Sequence, residues 1–144
     1  MLDRELLDDS NIKRIEEISA RLDFSRFVLN IDKEKAEMTT RMGIPILLKN
    51  LLKRPNVSCV EAFAEPGVIS ETHVHEEVEI VIVYEGSMEF TIGGSKFQIT
   101  PGLCVYIPKN VPHSAKFTSD TVTKMICVTI PHSPSFPGEM DNGR

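Results

Sequence analysis

The sequence predicts an all-β protein, a sandwich or barrel, preceded by a helical arm. Three observations carry this. From residue 56 on, apolar runs of strand length recur with Gly and Pro between them, at the spacing of about 8–12 residues expected of such folds. One stretch, "SMEFTIGGSKFQITPG", reads as a complete hairpin. Residues 1–23, in contrast, repeat their apolar positions at three- and four-residue steps, which is the period of a helix.

In chain order, the arm carries Leu2, Leu6 and Leu7, then Ile12, Ile15, Ile18 and Leu22. Asp8, Asp9 and Ser10 interrupt this pattern, and Ser10 is suited to cap a second helical segment. The stripe is expected to pack on the chain's own barrel or on a second subunit. Residues 24–55 are open to two readings. "FSRFVLNIDKEKAEMTTRM" fits two strands joined at 32–35 or a short helix, and "GIPILLKNLL" fits a buried strand. "NVSCVEAFAEPG" is the next strand. The run 80–84 is apolar on both faces, Val81 and Val83 on one, Ile80, Ile82 and Tyr84 on the other. One face is expected against the barrel interior and the other under a helix or a partner subunit.

The hairpin places Met88, Phe90 and Ile92 on one face and Phe97 and Ile99 on its return strand, with Gly93 and Gly94 as the turn. "TVTKMICVTI" puts Val122, Ile126, Val128 and Ile130 on one face and leaves Met125 and Cys127 for the other. The tail "PHSPSFPGEMDNGR" has too little apolar content for an element of its own. The expected organisation is one domain: an arm with uncertain strands over 1–55, a barrel core over 56–130, and a Pro-rich arm over 131–144.

Composition bounds the function. The chain has 144 residues, 41% hydrophobic and 26% charged, with a net charge of −5. It has no dense Lys/Arg run, so nucleic acid is not expected as a partner. Its longest apolar runs, 44–48 and 80–84, fall far short of the ~20 residues that span a bilayer. The acidic start "MLDRELLDDS" does not resemble a secretory signal. A cytoplasmic protein without membrane contact is the expectation. Cys59, Cys104 and Cys127 are odd in number and widely spaced, and read as reduced core thiols.

Chemistry concentrates in "GVISETHVHEEVEIVIVYEG". Residues two apart on a strand share a face at roughly 6.6 Å, so His73 and His75 can reach one small object. Glu79 has the same parity but would stand roughly 13 Å from His75 on a straight strand. To join the histidines it needs a turn at 76–78. Imidazole and carboxylate together suit borderline divalent metals. By itself the pattern fits surface histidines on an exposed strand equally well. The second stretch is "PGLCVYIPKNVPHSAKF": a turn, an apolar strand, a Pro-bounded turn, then His113.

Together the two stretches resemble the cupin family. The first matches the motif Gly-x5-His-x-His-x3-Glu-x6-Gly at Gly67, His73, His75, Glu79 and Gly86. Ordinary residue usage gives such a match on the order of once in ten million start points. The second resembles Gly-x5-Pro-x-Gly-x2-His-x3-Asn at Gly102, Pro108 and His113. Asn110 replaces a usual Gly, and it is the non-Gly residue that best tolerates positive φ. Phe117 replaces a usual Asn, exchanging a polar residue near the pocket for an apolar one.

The resemblance implies a double-stranded β-helix, a jelly-roll barrel with a pocket at one end. It implies one divalent transition metal (Fe, Mn, Ni, Co, Cu or Zn) on His73, His75, Glu79 and His113. One or two positions then stay open on a six-coordinate ion for water, dioxygen or a chelating molecule. The implied activity is that of a dioxygenase, isomerase or decarboxylase acting on a small chelating substrate. The alternative is a non-enzymatic small-ligand binding or sensing barrel that acts through a protein partner. Metal-free sugar-modifying members typically lack this ligand set. A homodimer is expected, as is a largely apolar pocket. The pocket candidates are Met88, Phe90, Cys104, Tyr106, Phe117, Met125 and Cys127, and no catalytic acid–base residue is assigned. Glu77 is the better of the two turn glutamates for orienting a ligand, and His132 is expected in solvent.

Overall fold

The computed structural model describes residues 8–21, 28–41 and 43–131. The chain divides into two units, Met1–Asn30 and Ile31–Arg144. In the first, helix α1 spans Asp9–Ser19. Its N-cap is Asp8, not Ser10: the Asp8 carboxylate accepts from the Asn11 amide at 2.8 Å and from the Ser10 hydroxyl at 2.7 Å. A carboxylate satisfies an orphan amide as a hydroxyl would, and adds a charge that complements the helix dipole. Those two hydrogen bonds, Ser10's first, hold the Asp8 carboxyl below its usual range. Ile12, Ile15 and Ile18 form an exposed stripe on α1. The expected helical positions Leu2, Leu6, Leu7 and Leu22, and the tail with His132, lie outside the described residues.

Among its described residues the second unit has nine strands, after a 3-10 turn at Ile31–Lys33. They are β1 (Glu37–Arg41), β2 (Ile44–Arg54), β3 (Val57–Ala64), β4 (Val78–Glu85), β5 (Met88–Ile92), β6 (Ser95–Ile99), β7 (Cys104–Ile107), β8 (His113–Phe117) and β9 (Thr123–Ile130). The expected strand junction at 32–35 is not one: Ile31–Lys33 is a 3-10 turn, and the strand pair that forms is β1 with β2, turning back between Arg41 and Ile44. Gly43 makes that turn, at φ 76°. β1 and β2 pair antiparallel, and β2 continues into β3, so the sheet begins well before residue 56.

A six-stranded sheet runs in the order β1-β2-β3-β9-β4-β7, and a three-stranded sheet in the order β6-β5-β8. Every pairing is antiparallel. The two sheets share one core. Ile44, Ile46 and Leu48 of β2, Val81 and Val83 of β4, and Met125 of β9 meet Met88 and Phe90 of β5 and Phe117 of β8. Period-two alternation sends the other set of side chains outward. On β4, an inner strand of its sheet, Val81 and Val83 are almost fully buried, whereas Ile82 and Tyr84 on the outer face are about 40% exposed (42% and 41%). This is a jelly-roll barrel of the double-stranded β-helix type. Among the described residues no helix is long and apolar enough to cross a membrane.

Candidate metal centre

The two motif stretches meet at the open end of the barrel. The chain leaves β3 at Ala64, crosses to β8 through an isolated bridge between Ile69 and Lys116, and returns through a second bridge between His73 and His113. Those two histidines exchange both backbone hydrogen bonds at 3.0 Å. His73 therefore sits in a single bridge and not in a regular strand. The chain bends at Glu76 and Glu77, and β4 opens at Val78. That bend carries Glu79 back to the histidines, as the spacing required.

Turn geometry holds His75. Asn110 adopts φ 58°, the one positive φ among described non-Gly residues, and its amide donates to the His75 carbonyl at 2.8 Å. Asn tolerates this left-handed conformation better than other side-chain-bearing residues.

The three rings converge. Their candidate ligand nitrogens lie within 4.8 Å of one another, with centroids 4.1 Å apart for His73–His113, 4.8 Å for His75–His113 and 5.7 Å for His73–His75. Each ring uses its Nδ1 in the same way. His73 Nδ1 lies 2.9 Å from the Glu71 carbonyl, His75 Nδ1 2.8 Å from the Glu77 carbonyl, and His113 Nδ1 2.8 Å from the Val111 carbonyl. A carbonyl only accepts, so each Nδ1 carries the proton, and in the neutral ring Nε2 presents a lone pair. His73 Nε2 and His113 Nε2 are buried and have no hydrogen-bond partner. Glu79 Oε2 lies 3.0 Å from His75 Nε2 and 3.7 Å from His113 Nε2.

Three ring nitrogens that converge, with the Glu79 carboxylate beside those of His75 and His113, repel one another unless a cation or a proton lies between them. Unpartnered buried acceptors are costly, so their presence in a set of three nitrogens and a carboxylate fits a divalent metal. The donor chemistry suits borderline ions from Mn to Zn.

Electrostatics follow the same geometry. Burial lowers the pKa of His73, and the neighbouring rings of His113 and His75 add to this against the Glu71 carbonyl. Burial also acts to lower His113, but the Glu79 carboxylate and the Val111 carbonyl outweigh it and the net shift is upward. Burial acts to raise Glu79, but the His113 and His75 contacts prevail and hold it below its ordinary value. The carboxylate is therefore ionised.

Behind the cluster lies a cavity of ≈ 60 Å³. Met88, Phe90, Phe117, Met125 and Cys127 line it together with His73, His113 and Glu79. Cys104 and Tyr106 do not. They pair with Ile82 and Ile80 on the outer face of the sheet and are exposed. Parity decides this: on β7, Val105 and Ile107 take the inward positions. The Cys127 thiol is pushed up, by burial first and by the Glu79 charge second, so it stays protonated. Ser70, Ser114 and Arg41 also line the cavity, and sequence reading did not single them out. Arg41 lay in the ambiguous segment, where neither strand nor parity was fixed.

Comparisons with known proteins agree with this geometry. Residues 61–129 match the family model described as Cupin domain. An uncharacterized protein of Methanocaldococcus jannaschii is 29% identical over 103 residues, covering 69% of this chain and 82% of that one. A predicted oxalate decarboxylase from Thermotoga maritima superposes with a TM-score of 0.67 at 20% identity, covering 73% of this chain and 99% of its own. The polyketide cyclase RemF from Streptomyces resistomycificus gives 0.64 at 21% identity, over 78% and 87% of the two chains. At such identities the two structures speak to the fold. With the barrel, both motif stretches and the three-histidine cluster in place, residues 61–129 form a cupin domain.

Proposed function

We propose that this protein is a metal-dependent enzyme acting on a small chelating molecule at a mononuclear centre held by His73, His75, Glu79 and His113. One observation carries the proposal: three imidazoles have their Nδ1 atoms committed to backbone carbonyls and converge beside the Glu79 carboxylate, with His73 Nε2 and His113 Nε2 buried and unpartnered. A bound divalent transition metal supplies Lewis acidity or one-electron chemistry there.

The chain's own residues do the rest. The carbonyls of Glu71, Glu77 and Val111 fix the ring orientations and tautomers. Glu79 lowers the net charge of the centre. Met88, Phe90, Phe117 and Met125 exclude water from the inner side, which strengthens every electrostatic interaction at the cluster. Cys127, kept as a thiol, contributes no nucleophile. The reactions that fit such a site are dioxygenation, isomerisation and decarboxylation.

The test is to strip the protein with a chelator, reload it singly with Fe, Mn, Ni, Co, Cu or Zn, and follow dioxygen uptake, carbon dioxide release and proton exchange on a panel of small chelating acids. Metal-dependent turnover with at least one ion supports the enzyme reading. Tight metal-dependent binding of the same panel without turnover overturns it in favour of a binding or sensing barrel. The apolar outer face at Ile82, Tyr84 and Tyr106 favours a second part of this proposal, that the working form is a homodimer.

A further inference from the structure

We propose that Arg41 is the anion anchor of the site: it binds the carboxylate of a small organic acid whose second oxygen donor reaches the histidine cluster and whose apolar part enters the inner cavity. This rests on the metal-dependent reading above and names the substrate class for it.

The placement of Arg41 follows from the β1–β2 register. Arg41 pairs with Ile44, and cross-strand partners share a face. Ile44 points into the core, so Arg41 is directed to the inner side of the sheet at its open end. The hairpin turn sits against the metal loop. A Cβ on Gly43 would come within 3.0 Å of the Glu71 carboxylate, and the Glu71 carbonyl holds His73.

Arg41 borders both spaces at the site. It lines the apolar inner cavity with His73, His113 and Glu79. It also lines an outer vestibule of ≈ 360 Å³ with His73, His75, Glu77 and Glu79. Among the described residues its guanidinium forms no hydrogen bond or ion pair, even though Glu79 and Glu77 line the same space. A cation that structural pairing had placed there would be within reach of one of them. Its charge is nonetheless felt inside, where it acts against the upward shift of the Cys127 thiol.

A divalent ion and Arg41, set against Glu79 and Glu77, leave the site net positive and matched to an anion. A guanidinium offers parallel N–H donors that fit a carboxylate in two-point contact. The vestibule is polar at Ser58, Glu77 and Thr129, whereas the inner cavity is small and walled by Met88, Phe90 and Phe117. This division favours a short acid with one compact alkyl group over a polyol.

The experiment is calorimetric titration of the metal-loaded protein with methylmalonate and 2-oxobutanoate, using methylmalonamide and ethyl 2-oxobutanoate as neutral counterparts. Both acids are expected to bind, and the neutral molecules to bind at least tenfold more weakly. Arg41→Gln should cost the acids at least tenfold in affinity while metal content and melting temperature stay at the wild-type values. Arg41→Lys should retain part of the affinity, since it keeps the charge and loses the planar fork. Acids and neutral counterparts binding alike, neither acid binding at all, or undiminished acid binding by Arg41→Gln would each overturn the proposal. The two readings separate cleanly. Arg41-dependent acid binding by a protein that takes up no metal retires the metal centre and keeps the anchor. Full metal content with acid binding indifferent to Arg41 does the reverse.

Discussion

At the scale of single residues, the centre depends on where protons are. Metal binding requires three neutral imidazoles, and His113 is the ring whose pKa is raised net, burial being outweighed by Glu79 and the Val111 carbonyl. Free imidazole titrates near 6.5, so His113 takes its proton above that value and competes with metal first as pH falls. His73, lowered by burial, stays neutral longer. Equilibrium dialysis should therefore show metal retained at about pH 8 and released progressively through about pH 6. Retention unchanged across that range would speak against histidine ligation. Asn110 gives a second residue-level test. Its positive φ aims an amide at the His75 carbonyl. Asn110→Gly should leave melting temperature and metal affinity nearly unchanged. Asn110→Val forces a β-branched residue into the left-handed region, at a cost of about 1–3 kcal/mol. It should also weaken metal binding through the displaced His75. Chemical denaturation beside metal titration reads both effects.

At the scale of elements, the turns set the site. Gly86 closes β4 at φ 84°, and a Cβ there would stand 2.6 Å from the Thr123 hydroxyl and 2.8 Å from the Thr123 Cα. Backbone cannot give way as a flexible side chain can, so Gly86→Ala should destabilise the barrel by more than about 1 kcal/mol, read from the denaturation midpoint. A variant as stable as wild type would show that the β4–β5 corner is looser than described. The same turns explain what was legible in the sequence. Period-two alternation placed Met88, Phe90 and Met125 inward because those strands have one buried face. The bend at Glu76 and Glu77 followed from the reach of Glu79. Residues 24–55 were opaque because Pro45, Lys49 and Asn50 interrupt the apolar pattern of β2, and only pairing with β3 decides its register. Arg41 was hidden for that reason. Cys104 and Tyr106 were misplaced toward the pocket because nearness in sequence to His113 says nothing about strand parity, which Val105 and Ile107 claim for the core.

At the scale of the whole molecule, the barrel has an apolar patch on its outer sheet face and the histidine cluster at the mouth of its inner cavity. Ile82, Tyr84 and Tyr106 are exposed together on the outer face, and contiguous apolar surface of this kind is what a subunit contact would cover. A dimer in solution is expected, and sedimentation at micromolar concentration should show it. Ile82→Asp should shift the protein to monomer without altering metal content, whereas a wild-type monomer at every concentration would remove the dimer from the account. The central claim is that His73, His75, Glu79 and His113 together hold one divalent ion. Its most direct test is metal content per folded chain, by elemental mass spectrometry, for wild type and His75→Ala after equal exposure to metal. The wild type should carry about one ion per chain. The variant should melt cooperatively, yet lose affinity by more than the roughly 10–100-fold that follows removal of an outer hydrogen-bonding partner. Equal metal content in the two proteins would contradict the ligand set.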